Sequence, residues 1–304
     1  MRRILSRYSN CFISVTAMSV RKSNGPRSKR GNDSAFLVLS TDDQGFETDL
    51  EEDLEKLHEE RKRKLMKTTK QRYFDACETL GTVPVTKFLR ECQAGVVDLK
   101  HYGIRDIGAQ AIARALEHDI VVTNLCLRDN GIGDAGSLAL SKTLKENCFV
   151  TNFDLSENKL GKEGVVAIGE MLLENASLQE LNLSGCSIHG KDMKQFFDAL
   201  SVNPHLRSLD FSYNDLGDEG AAYLGRALKS NKNLEYLSLS WNNIRVSGIE
   251  ELANGVAVNK ELCDLDLSWN CFSDEGASHM SSALVQNHRI KVLEMQSCGE
   301  SNNE

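Results

Sequence analysis

Six residues, Leu-Asp-Leu-Ser-Trp-Asn from Leu265 to Asn270, belong to a pattern that returns every 28 residues, and no other feature constrains the fold as strongly. The positions equivalent to Leu265 are Val97, Leu125, Phe153, Leu181, Leu209, Leu237 and Leu293. Two residues further on, each copy carries Leu or, at Phe211 and Met295, another apolar side chain. Five on stand Asn130, Asn158, Asn214, Asn242 and Asn270, with Cys186 and Cys298 in the same column and Tyr102 departing in the first copy. Seven on stand Ile104, Ile132, Leu160, Ile188, Leu216, Ile244 and Phe272. The chain holds seven complete copies and the opening strand of an eighth. A unit this short cannot bury an apolar face alone, so the copies must stack.

Each unit divides into strand, tight loop and helix. Apolar side chains at positions 0 and 2 alternate as in a strand, which turns positions 1 and 3 outward. The Asn at position 5 both donates and accepts, and it is expected to satisfy loop backbone groups. Asp106, Asp134, Asp218 and Asp274 stand at the expected helix starts, where they are expected to accept from first-turn amides. Gly108, Gly136, Gly164, Gly220, Gly248 and Gly276 follow at position 11, expected where helix and strand layers approach closely, with Asp192 departing. Asn147, Asn175, Asn203, Asn231, Asn259 and Asn287 are expected to end the helices in left-handed turns. The predicted fold is an α/β solenoid, a horseshoe with a parallel sheet on the concave face and helices on the convex face.

The column pattern is L-x-x-L-x-L-x-x-N/C-x-L, the leucine-rich repeat. The 28-residue unit, with room for about three helical turns, and the Asn/Cys alternation resemble the ribonuclease-inhibitor class of leucine-rich repeats. NOD-like receptors and the Ran GTPase-activating protein use the same class. The resemblance covers residues 97–298 and implies the fold; the class has many functions. Tyr73 to Leu116, with Gly-Thr-Val-Pro-Val at 81–85, further resembles the leucine-rich-repeat-containing protein 74 group.

Outside the repeats the charge is uneven. Residues 1–32 hold eight Lys or Arg and no acid, and residues 33–60 hold eleven acids against Lys56 alone. Residues 1–49 are expected to be a disordered tail and residues 50–72 a charged helix with i,i+4 pairs such as Glu52/Lys56. A cytoplasmic protein is expected, the alternative being a mitochondrial one with residues 1–32 as transit peptide. Residues 73–96 are expected to cap the first repeat through two short helices, with Tyr73, Phe74, Cys77 and Leu80 on one face. Residues 299–304 form a polar tail with no eighth helix, which leaves an uncapped end expected to self-associate or to mark a short isoform.

Several function classes are excluded or unsupported. From Tyr73 onward 33 acids face 20 bases, a net of −13, which repels nucleic-acid phosphate. No run of about 18 apolar residues is present. The nine cysteines show no metal-ligand spacing and are expected as free thiols. No phosphate-binding glycine loop, nucleophile elbow or H-E-x-x-H motif occurs, so no catalytic residue, cofactor or metal is expected.

The outward columns carry the candidate site. Position 4 reads His101, Asp129, Glu157, Gly185, Tyr213, Trp241, Trp269 and Ser297, and position 1 includes Asp98, Asp154, Asp210 and Asp266. Equivalent residues of adjacent strands lie about 5 Å apart. Tyr213, Trp241 and Trp269 are therefore expected to form an aromatic ladder bordered by Asp154, Asp210, Asp266 and Glu157. Such anchors fit a basic or Arg-bearing protein partner. The serines at position 3, from Ser156 to Ser268, are expected as small filler. The leading expectation is a non-enzymatic interaction scaffold; the alternative is a small-GTPase activator resembling the Ran-activating protein, acting through rim Asn and acidic residues. An innate-immune sensor fragment is disfavoured because no ATPase domain is present.

Overall fold

The computed structural model describes residues 67–299. The expected tail at 1–49, residues 50–66 of the expected charged helix, Cys11 and most of the C-terminal tail lie outside them. Two helices come first, α1 (Thr69–Leu80) and α2 (Thr86–Glu91). Strand–helix units follow: β1 (Val96–Asp98) with α3 (Arg105–Leu116), β2 (Asn124–Cys126) with α4 (Asp134–Glu146), and β3 (Asn152–Asp154) with α5 (Lys162–Glu174). Next come β4 (Glu180–Asn182) with α6 (Lys194–Val202), β5 (Ser208–Asp210) with α7 (Gly217–Ser230), and β6 (Tyr236–Ser238) with α8 (Val246–Val258). β7 (Asp264–Asp266) with α9 (Ser273–Gln286) leads to β8 (Val292–Glu294), the last described element. The strands form one parallel sheet in the order β1 to β8, and each pairing joins residues 28 apart, such as Leu237 with Leu265. Helices need about 8–10 Å between axes and strands only about 4.8 Å, so stacking such units curves the array with the sheet inside.

The core is continuous from Tyr73 in α1 to Met280 in α9. Positions 0, 2 and 7 are buried in almost every unit, Val97, Leu99 and Leu125 among them. The fourth unit is irregular. A 3₁₀ turn at Gly190–Asp192 precedes the nine-residue α6, and Phe196, Phe197 and Phe211 fill the space with ring centroids 5.5–6.0 Å apart.

The cap helix α1 starts at Thr69, and its Tyr73 ring lies 4.3 Å from Phe88 of α2. Tyr73 Oη accepts from the Val85 N–H at 3.1 Å, and burial pushes its pKa up to about 12. Phe74, expected on the same buried face, is 49% exposed, because the face that meets α3 runs through Tyr73, Ala76 and Cys77.

Asparagine columns tie the units together along both edges of the sheet. At position 5, Asn158 donates to the Leu127 and Leu155 carbonyls at 3.0 and 2.7 Å and accepts from the Asn130 and Ile132 N–H groups, both at 3.0 Å. Cys186 holds the same place with its thiol donating to the Leu155 carbonyl, and burial raises its pKa to about 12. The second column corrects an expectation. Asn147, Asn175, Asn203, Asn231, Asn259 and Asn287 end their helices with extended backbones, such as φ −73° and ψ 122° at Asn147, not in left-handed turns. Their side chains are the reason they are there. Asn147 Nδ2 donates to the Leu116 and Asp119 carbonyls, while Oδ1 accepts from Phe149 and Val150. Asp119 opens this column, accepting from Val121 and Val122 and, in a short contact, from the Thr69 hydroxyl of the cap.

Two further expectations are corrected. The helix-start aspartates cap the next unit's helix, not their own: Asp106 accepts from Gly133 and Gly136 N–H at 2.7 and 2.9 Å, and Asp134 from Gly164 at 2.6 Å. Gly136, Gly164 and Gly248 accordingly clear the preceding helix start, whereas Gly108, Gly220 and Gly276 chiefly clear Ile104, Leu216 and Phe272 of their own units; none clears the strand layer. A Cβ on Gly164 would lie 2.4 Å from Ser137 Oγ and 2.9 Å from Asp134 Oδ1.

Candidate functional site

The rim where strands turn into loops has one backbone rule. Every residue at position 4 adopts a left-handed conformation: His101, Asp129, Glu157, Gly185, Tyr213, Trp241, Trp269 and Ser297, with φ between 48° and 64°. The strand must turn sharply there to bring the buried Asn at position 5 under the sheet edge. Left-handed backbone disfavours L-residues by about 1–2 kcal/mol, and bulky side chains are uncommon there. This position also throws its side chain outward, while the preceding serines fold beneath it. Ser156, Ser212, Ser240 and Ser268 are buried; position 3 faces solvent freely only where the side chain is long, as at Lys100 and Arg128. Outward orientation of the whole of position 3 is therefore corrected.

Along this rim the structure brings Tyr213, Trp241 and Trp269 together. Tyr213 and Trp241 stack with centroids 5.5 Å apart and planes 13° apart; Trp241 and Trp269 stack at 4.7 Å and 9°. They remain 61%, 43% and 46% exposed. Glu157 is on the same rim but two strands from Tyr213, and it pairs with Arg128. His101 and Asp129 pair at 2.7 Å at the same end of the rim. The N-terminal half of the rim thus carries polar side chains with partners of their own, and the C-terminal half is aromatic.

The position-1 carboxylates carry a role that the sequence reading missed. Asp154, Asp210 and Asp266 each accept from the N–H two residues on, at Ser156, Ser212 and Ser268, over 2.8–3.0 Å. Their Oδ1 atoms hold the strand end in place, and their carboxylates still face the concave side. The repeated Asp-x-Ser was the available signal. Asp154 and Asp210 line a shallow groove of about 420 Å³ with Asp98, Glu180, Asn152 and Tyr236. Tyr236 has its pKa raised by burial and by Asp210 and Asp266, which lie on the strands to either side. Among the described residues no His/Cys/Asp/Glu group could hold a metal ion. No described helix is long and apolar enough to cross a membrane.

These features define a leucine-rich-repeat solenoid with an open acidic and aromatic inner face. Five segments, residues 146–169, 174–196, 202–225, 230–253 and 259–281, match the family described as Leucine Rich repeat. Two solved structures are similar over part of the chain. One is the tropomodulin C-terminal domain of Caenorhabditis elegans, at 16% identity and TM-score 0.43, covering 51% of this chain and 93% of that one. The other is described as leiomodin-1 actin-binding site 2, at 17% identity and TM-score 0.36, covering 57% of this chain and 86% of that one.

Proposed function

We propose that this protein is a non-enzymatic protein–protein interaction scaffold, with a partner's basic surface docked on the concave face against the Tyr213–Trp241–Trp269 stack and the Asp154 and Asp210 carboxylates. The observation that carries this reading is the stack itself. Three consecutive large aromatics occupy left-handed positions and stay about half exposed. Stacking returns about 0.5–1.5 kcal/mol per pair, which offsets the backbone preference but adds nothing to the core. Aromatic anchors ringed by polar groups are the composition of interface hot spots. Glu157 contributes as a rim charge already shared with Arg128.

The GTPase-activator alternative has less to work with. Each rim asparagine from Asn130 to Asn270 is committed to backbone hydrogen bonds, and none is placed to act on a partner's active site. The test is affinity capture with the full chain beside a Trp241→Ala/Trp269→Ala double variant of equal circular dichroism. Partners lost only by the variant support the reading. Identical partner lists overturn it.

A further inference from the structure

We propose that Gly185 opens an arginine-binding slot on the rim, in which a partner's guanidinium stacks on the outer face of Tyr213 and pairs with Glu157. The inference rests on the scaffold reading and specifies which chemistry the partner presents, and where. Both faces of the Trp241 ring are covered, one by Tyr213 and the other by Trp269. A planar cation therefore has only the two ends of the stack to lie on. At one end Trp269 faces Ser297 of the next strand, whose side chain carries no charge. At the other, Tyr213 faces Gly185, and beyond it stands the Glu157 carboxylate.

The backbone does not demand glycine at this place. The other seven rim positions hold L-residues at the same left-handed φ, so what distinguishes Gly185 is the missing side chain. Neighbouring strands lie about 4.8 Å apart, which sets Tyr213 and Glu157 about 9.6 Å apart along the rim. A flat group needs about 3.5–4.0 Å from the Tyr213 ring; on its other side the step is bordered by the Glu157 stem, whose Cγ lies 3.3 Å from where a Gly185 Cβ would sit, so a guanidinium enters between the ring and the Glu157 carboxylate. An aliphatic ammonium would fit the volume but lacks the planar face and the fork that bridges ring and carboxylate. Glu157 already accepts from Arg128 through Oε1, which shows that a guanidinium reaches this carboxylate at the rim; Oε2 has no bonded donor among the described residues. Tyr213 is the most exposed of the three rings.

The test compares two capped probes of equal charge, five Gly-Arg and five Gly-Lys dipeptides in line, titrated into the full chain. Both tryptophans of the protein are in the stack, so their intrinsic fluorescence reports the site directly. The arginine probe should bind roughly fivefold tighter than the lysine probe. Gly185→Tyr, which fills the slot, should bring the two affinities together while leaving lysine-probe binding within about twofold; Glu157→Gln should shrink the preference. Tyr213→Leu removes the stacking face without altering Gly185 and should do the same if Gly185→Tyr fails to fold. Equal affinities in the unmodified protein, no binding of either probe, or a preference that survives both Gly185→Tyr and Tyr213→Leu would overturn the proposal. Loss of the preference expectation together with intact stack-dependent partner capture would sink the slot and leave the scaffold reading standing.

Discussion

Asn175 provides the sharpest test of how the units are joined. Its side chain is buried and makes five hydrogen bonds: Nδ2 to the Leu144 and Asn147 carbonyls at 2.6 and 3.2 Å, and Oδ1 from the Ser177 and Leu178 N–H groups at 2.9 and 2.7 Å and from the Ser177 hydroxyl at 3.5 Å. Ser177 Oγ also donates to the Asn147 carbonyl, so that acceptor keeps a partner in Asn175→Ala. Truncation most clearly strands the buried Leu178 N–H and the Leu144 carbonyl contact. At about 2 kcal/mol per buried unsatisfied group, the loss should be about 4 kcal/mol. Asn175→Asp keeps both accepted bonds but turns a carboxylate toward two carbonyl oxygens. Folding then favours the protonated acid, raising its pKa, so the deficit should be largest at neutral pH and fall away below about pH 4. Asp119 occupies the same column at the first unit, where the cap donates to it, so Asp119→Asn should be nearly neutral by comparison. Urea unfolding followed by far-ultraviolet circular dichroism at pH 4 and pH 7 reads all three. An Asn175→Ala variant within about 0.5 kcal/mol of the unmodified protein, well under the spread of buried hydrogen-bond losses, would refute the account of this column.

Trp241→Ala should lose about 2 kcal/mol from its two stacking contacts, while Trp241→Gly should recover about 1 kcal/mol of that because φ there is 58°; urea midpoints showing Gly no better than Ala would remove the strain argument. Asp106→Ala should speed hydrogen exchange at the Gly136 amide in α4 and spare the first turn of α3, since Asp106 accepts from the later helix; faster exchange confined to α3 would restore capping of its own helix. Tyr73 is held neutral by burial, with its pKa pushed up to about 12, so the cap's stability should be intact below about pH 10 and fall as pH rises toward 12. Tyrosinate absorbance against pH should show that step, and Tyr73→Phe should flatten the alkaline loss of helix signal.

The ladder geometry was legible because equivalent residues of a parallel sheet must lie side by side once the period is known, and Tyr213, Trp241 and Trp269 share a column. What the columns do was less legible. Asn147 and its equivalents were visible as a column, but asparagine's own tolerance of left-handed backbone pointed to the wrong role. The presence of Asp119 in that column, 28 residues before Asn147, was the overlooked signal for side-chain hydrogen bonding. The left-handed rim was announced by Gly185 among His101, Asp129 and Ser297, yet three aromatics and Glu157 concealed it.

The sequence by itself determined the period, the strand–helix order, the sheet's register and which faces are apolar, because these follow from spacing within one unit and from the need to bury it. Only the tertiary structure decided what passes between units: that Asp106 caps α4, that Asn175 ties α4 to the following strand, and that Ser212 is covered while Tyr213 stays open. Those contacts join residues 27 to 31 positions apart, and local propensity carries no information at that range. The Gly185 step belongs to the same class, since an absent side chain acquires meaning only from the neighbours that stacking places on either side.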